Sequence, residues 1–159
     1  MSRLPSLGPR GEGWFAVQVL FLLAIAAAGL GASGAWTGVP AEIGAIVGMI
    51  LMGAGAALII RGLLDLGNNL TPMPRPLEGA SLVQSGAYAL VRHPLYGGLT
   101  IGAFGWGLLM ASPAALLLAA SLGVFFDLKA RREEAWLVEC YADYSAYIGR
   151  TRRLIPCVY

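Results

Sequence analysis

The sequence predicts an all-α integral membrane protein of about four transmembrane helices, the last two a helical hairpin, followed by a cytoplasmic C-terminal helix. Three observations carry this. The 159 residues are 57% hydrophobic and 13% charged, where soluble domains carry about 25% charged residues. Uncharged apolar runs of membrane-crossing length recur between short polar turns. All 11 lysines and arginines fall on one side of the topology those runs define, as the positive-inside tendency requires. The 22 glycines suit close helix approach in a bilayer. A net charge of +2 gives no electrostatic footprint for nucleic acid, so none is expected as a partner.

Residues 1–64 carry two N-terminal spans, and residues 65–159 complete a single membrane domain. Residues 1–13 are polar, with Arg3 and Arg10, and read as a cytoplasmic tail. From Trp14 to about Gly34 the chain is uncharged and apolar, matching the ~20 residues that span a bilayer. A signal peptide cleaved within Gly31–Ala35 is the competing reading, but the run exceeds a usual apolar core of such a peptide. Residues 35–40 form a turn. A second span covers about Glu42–Leu64, with Gly44 and Gly48 spaced for helix packing and Arg61 placed to snorkel. Trp14, Trp36 and Trp106 read as interfacial belt residues.

Residues 65–93 are the one long polar segment between spans, and Pro72, Pro74 and Pro76 favour extended backbone there. Long loops in compact domains are usually functional. The runs Leu95–Ala111 and Ala114–Phe126 break at Ser112-Pro113 and read as the hairpin. Its second helix continues through Asp127, Lys129, Arg131, Arg132, Glu133 and Glu134 to about Tyr147, and Gly149 and Pro156 end it. Both termini and the long loop are then cytoplasmic, in what reads as a bacterial inner membrane protein. Cys140 and Cys157 form no metal or disulfide pattern, and Cys157 lacks a complete prenylation box.

The hairpin returns Glu133 and Glu134 to the membrane surface where His93, the only histidine, precedes the third apolar run. Pro94 suits a first helical turn, and the N–H groups of Leu95, Tyr96 and Gly97 then stand free for an anion, with Arg92 adding positive charge. The glutamates can receive an ammonium. Tyr88, Tyr96, Trp136, Tyr141, Tyr144 and Tyr147 offer aromatic surface for an adenine or a sulfonium. A zwitterionic amino-acid cofactor would find a partner for each end. The bland alternatives are a structural interface histidine, a solvated Arg-Arg-Glu-Glu helix face, and an Asp127–Arg131 pair one turn apart.

Leu82-Val83-Gln84-Ser85-Gly86-Ala87-Tyr88, Arg92-His93-Pro94-Leu95-Tyr96-Gly97, Glu133-Glu134 with Leu137, Tyr144 with Tyr147, and Arg153 to Pro156 follow in order. This pattern, about half the chain, resembles the isoprenylcysteine carboxyl methyltransferases and the related phospholipid methyltransferases. The resemblance implies an enzyme using S-adenosyl-L-methionine, with S-adenosyl-L-homocysteine as product, in a cytoplasmic pocket open sideways to the bilayer. It implies cofactor contacts from Ser81, Leu82, Val83, Tyr88, Arg92, His93, Pro94, Leu95, Tyr96 and Glu133. It implies a catalytic, acceptor-facing side with Lys129, Arg131 and Glu134. No metal is expected. The acceptor the resemblance implies is a lipophilic or small membrane-accessible carboxylate, amine or thiol. Cys140-Tyr141-Ala142 departs from the family's Phe-Gly, which leaves the register of Glu133 against Glu134 open. Two other readings stand beside this one: an NADPH-dependent sterol-reductase-like enzyme, and a non-catalytic scaffold or sensor.

Overall fold

The structure, a computed structural model, describes residues 4–71, 73, 75, 79 and 81–156. Arg3, Pro72, Pro74, Pro76, Glu78 and Cys157 lie outside the described residues. The described chain is helical, with α1 Glu12–Gly31, α2 Val39–Leu66, α3 Pro94–Leu109, α4 Pro113–Cys140 and α5 Tyr144–Arg150. Three helices, α1, α2 and α4, are long and apolar enough to cross a membrane. The expected third span, α3, has 16 residues and is shorter than the ~20 a lone span requires. It is held between α2 and α4 instead.

Glycine makes that placement possible. Gly44, Gly48, Gly55 and Gly62 are the buried residues of α2 and fall on one stripe. A Cβ on Gly48 would stand 2.6 Å from Gly105 O, and one on Gly55 would stand 2.5 Å from Gly98 O. Backbone atoms cannot yield at such distances, so α2 and α3 meet backbone to backbone, antiparallel, along a seam that any side chain would open. The outward faces of both long N-terminal helices expose Leu20, Leu23, Ile46, Ile50 and Leu64, as a lipid-facing surface requires.

Met110 to Ser112 joins α3 to α4, with Ala111 in a left-handed conformation at φ 47°. Ser112 caps α4 by accepting from Ala115 N–H at 3.3 Å, and its hydroxyl donates to Ala28 O of α1 at 3.0 Å. Pro94 opens α3 and Pro113 opens α4. Helix α1 lies along α4 through Trp14, Phe21 and Phe125, whose rings are 5.3–5.6 Å apart. Trp14 is therefore a core residue, 5% exposed, and not a belt residue. Trp106 likewise turns inward and donates to Ile25 O.

The expected continuous helix to Tyr147 breaks at Tyr141, which is extended (φ −128°, ψ 114°). Helix propensity is overridden by packing: the break turns the chain back and buries Tyr144 and Tyr147, 1% and 3% exposed, against the rest of the domain. Beyond α5 the chain runs beside residues 90–93 as a short parallel bridge between Val91 and Arg152. Arg92 N–H donates to Arg152 O at 2.9 Å and His93 N–H to Arg153 O at 3.0 Å.

Candidate functional site

The residues around His93 converge because four chain segments end at the same level: the polar loop after α2, the start of α3, the far end of α4, and α5 with its tail. A cavity of about 310 Å³ lies between them, at the lower end of small-molecule sites. Its lining includes Ser81, Leu82, Val83, Tyr88, Arg92, His93, Leu95, Tyr96, Lys129, Glu133, Leu137, Tyr141, Tyr144 and Tyr147, with Gln18 from α1 and Leu66, Asn69, Leu70, Thr71, Met73 and Leu99.

The two adjacent glutamates do different things. Glu134 is a buried hub. It accepts from Arg92 Nε at 2.7 Å, approaches His93 Nε2 at 3.3 Å, and pairs with Arg153 Nη2 at 3.2 Å. Arg153 also reaches Asp127 at 2.8 Å, and Asp127 takes Arg131 Nε at 2.7 Å as the spacing predicts. Burial of Arg153 is outweighed by Glu134 and then Asp127, which push its pKa above the ordinary arginine value. Glu133, on the next face of α4, lines the cavity. It accepts from Tyr96 OH at 2.8 Å and faces His93 Nδ1 at 3.7 Å.

His93 and Tyr96 stack at 5.4 Å between ring centroids, and Tyr96 stacks on Phe126 at 4.7 Å. This column fixes the imidazole between the two carboxylates. Tyr147 OH donates to Tyr88 O at 2.5 Å. Burial raises the phenols of Tyr88 and Tyr144 above their ordinary value, and that of Tyr147 to about 12, so all three stay neutral donors at physiological pH. The polar loop is pinned at both ends. Asn69 Oδ1 accepts from Ser81 N–H at 3.1 Å, and Asp65 Oδ2 accepts from Ala87 N–H at 2.7 Å.

Of the residues singled out in the sequence, Ser81, Leu82, Val83, Tyr88, Arg92, His93, Leu95, Tyr96, Lys129 and Glu133 line one cavity. Pro94, Arg131 and Glu134 are not among its lining residues. Arg131 turns outward to Asp127, its side chain 51% exposed. Arg92 is committed to Glu134 and to the carbonyls of Ile148 and Thr151, so its charge is largely spent inside the protein. Gly97 N–H, expected to be free, donates to His93 O at 3.0 Å, because α3 is already regular there. Sequence reasoning passed over Gln18, Asn69 and the Arg153 link. Gln18 carried a usable signal, as the one amide in an apolar helix. Arg153 stood in the Arg153 to Pro156 block of the sequence, but its partner Glu134 had no signal there, since the pairing depends on the tail folding back.

The cavity thus offers an inward-facing carboxylate, several neutral aromatic faces, a helix start and a buried ammonium, Lys129, 0% exposed. Among the described residues no group of three or more His, Cys, Asp or Glu could hold a metal ion. A family model described as phospholipid methyltransferase matches residues 43–144. Over 79 residues the chain is 38% identical to the protein-S-isoprenylcysteine O-methyltransferase of Schizosaccharomyces pombe, covering 48% of this chain and 34% of that one. Over 77 residues it is 32% identical to the cobalt-zinc-cadmium resistance protein CzcN of Cupriavidus metallidurans, covering 48% of this chain and 36% of that one. The matches therefore span about a third of these curated relatives.

Proposed function

Because the chain belongs to the phospholipid methyltransferase family, we propose that it is an integral membrane enzyme transferring a methyl group from S-adenosyl-L-methionine to a lipophilic or small membrane-accessible acceptor. The observation that carries this is the division of labour between the glutamates: Glu134 is used up in a structural ion network, and Glu133 is presented to the cavity. Glu133 then receives the cofactor's α-ammonium. Tyr88, His93, Tyr96, Tyr144 and Tyr147 provide the faces for its adenine and sulfonium, and Ser81 to Val83 lie along it. The start of α3, with Leu95 and Tyr96, is the natural seat for its carboxylate, since Arg92 is engaged elsewhere. The bound cofactor supplies an electrophilic methyl on a sulfonium with a good neutral leaving group. The protein's part is alignment and exclusion of water: Tyr144 and Tyr147 of α5 line the site on one side, and Asn69 to Thr71, Met73 and Ser81 to Val83 line it on another. The cavity lies at the end of the bundle that carries the basic residues, which by the positive-inside tendency is the cytoplasmic face, with both termini on that side.

The test is equilibrium binding of S-adenosyl-L-homocysteine to the purified chain in nanodiscs, by calorimetry. The wild type should bind, and His93→Ala should weaken binding at least about tenfold, a loss of about 1.4 kcal/mol. A folded wild-type chain that binds neither S-adenosyl-L-homocysteine nor S-adenosyl-L-methionine refutes the reading.

A further inference from the structure

Tyr88 reaches the cavity from one short 3-10 turn, Gly86–Ala89. So short a turn has few hydrogen bonds of its own to orient it. Two side chains from other elements bond its backbone. Tyr147 OH of α5 donates to Tyr88 O, and Asp65 Oδ2 of α2 accepts from Ala87 N–H at 2.7 Å. Tyr147 lines the cavity itself, whereas Asp65 is not among its lining residues. Gly86 lets the carboxylate come this close: it sits at φ 61°, and a Cβ there would overlap Asp65 Oδ2.

Helix α2 by itself does not favour an acid at position 65. Asp is a poor helix former, and the last turn sets it beside the negative end of the helix dipole. Arg61, one turn earlier, pairs with it at 2.9 Å through a largely exposed guanidinium. A surface pair contributes little, least with the base N-terminal to the acid. The Asp65 side chain is nonetheless only 10% exposed and is bonded to Ala87 N–H. Arg61 Nε also donates to Asp65 Oδ2 at 3.1 Å, and this two-point contact fixes how the carboxylate is aimed. We propose that Asp65 is a positioning residue: from outside the cavity it fixes the turn Gly86–Ala89, and so holds the Tyr88 ring against the nucleoside ligand of the site. The inference rests on the methyltransferase reading only in calling that ligand the cofactor. The end of α2 lies before the sequence blocks that carry the resemblance, which begin at Leu82. It thereby becomes part of cofactor recognition.

The experiment uses the full chain, labelled with 3-fluorotyrosine, in phosphatidylcholine nanodiscs. It reads two quantities: S-adenosyl-L-homocysteine affinity by calorimetry, and the fluorine resonance of Tyr88, assigned by its loss in Tyr88→Phe. Asp65→Leu should weaken binding about fivefold but add nothing in a Tyr88→Leu background, because Asp65 acts through Tyr88. It should also shift or broaden the Tyr88 line. Asp65→Asn, which keeps an oxygen for Ala87 N–H, should recover most of the affinity and the wild-type line. If Asp65→Leu does not fold, Arg61→Met loosens the carboxylate without touching the turn; it should cost about twofold in affinity, again only when Tyr88 is present. An Asp65→Leu loss of equal size with and without Tyr88 overturns the proposal, as does an unmoved Tyr88 line or the absence of rescue by Asp65→Asn. A wild-type chain that binds no S-adenosyl-L-homocysteine sinks the methyltransferase reading. The fluorine line then decides by itself whether Asp65 positions Tyr88.

Discussion

Replacing Glu134 by Gln keeps the shape of the hub and removes its charge. Arg153 would retain Asp127, at 2.8 Å. Arg92 would not be compensated: its side chain is 6% exposed, and its remaining partners, the carbonyls of Ile148 and Thr151 and the Thr151 hydroxyl, are neutral. Breaking a buried pair by neutralising one member costs about 3–5 kcal/mol. The lower end applies, since the amide oxygen can still accept from Arg92 Nε. For a chain of this size about 3 kcal/mol corresponds to a fall in melting temperature of roughly 6–12 °C. Glu133→Gln leaves a 23%-exposed side chain bonded to a neutral hydroxyl, so its stability effect should stay under about 1 kcal/mol, while nucleotide affinity should fall about tenfold through loss of a charged partner. The assay is tryptophan-fluorescence melting in nanodiscs beside calorimetric titration with S-adenosyl-L-homocysteine. The reasoning is refuted if the pattern crosses over: an unchanged melting temperature with lost binding for Glu134→Gln, or the reverse for Glu133→Gln.

Other outcomes follow from the seam and from the tyrosines. Gly48→Val puts a Cβ against Gly105 O and Leu109 N and should lower stability by about 1–3 kcal/mol. Gly53→Ala, with nothing within 4 Å, should leave it unchanged or raise it by up to about 1 kcal/mol. The same melting series checks both. Burial pushes the Tyr147 phenol from 10 to about 12, with Arg92 opposing and Glu134 adding to the rise. Its contribution is thus complete below pH 10 and is lost as pH climbs to about 12, because the unfolded phenol gives up its proton first. Tyr147→Phe should flatten the alkaline fall in stability across that window, measured as melting temperature against pH.

Much of the site was legible in the sequence because its parts are local or fixed by helix geometry. Composition and apolar run length determined a helical membrane protein. Ser112-Pro113 determined where the hairpin turns, since proline starts a helix at no hydrogen-bond cost. The hairpin in turn determined that His93 and the two glutamates meet. The tertiary structure alone decided which glutamate faces the cavity. Residues 133 and 134 are adjacent on a helix and point about 100° apart, and only the packing of α4 against α3 and the returning tail says which direction is inward. It decided the break at Tyr141, where burying Tyr144 and Tyr147 outweighs the propensity of a good helix-forming stretch. It decided that α3, too short to stand alone in a bilayer, is carried by a glycine seam whose backbone contacts have no signature beyond small residues at regular intervals. It decided that Gln18 and Lys129, 111 positions apart, share one hydrogen bond, because non-local pairing of side chains depends on how helices rotate about their axes and not on any residue's neighbours in the chain.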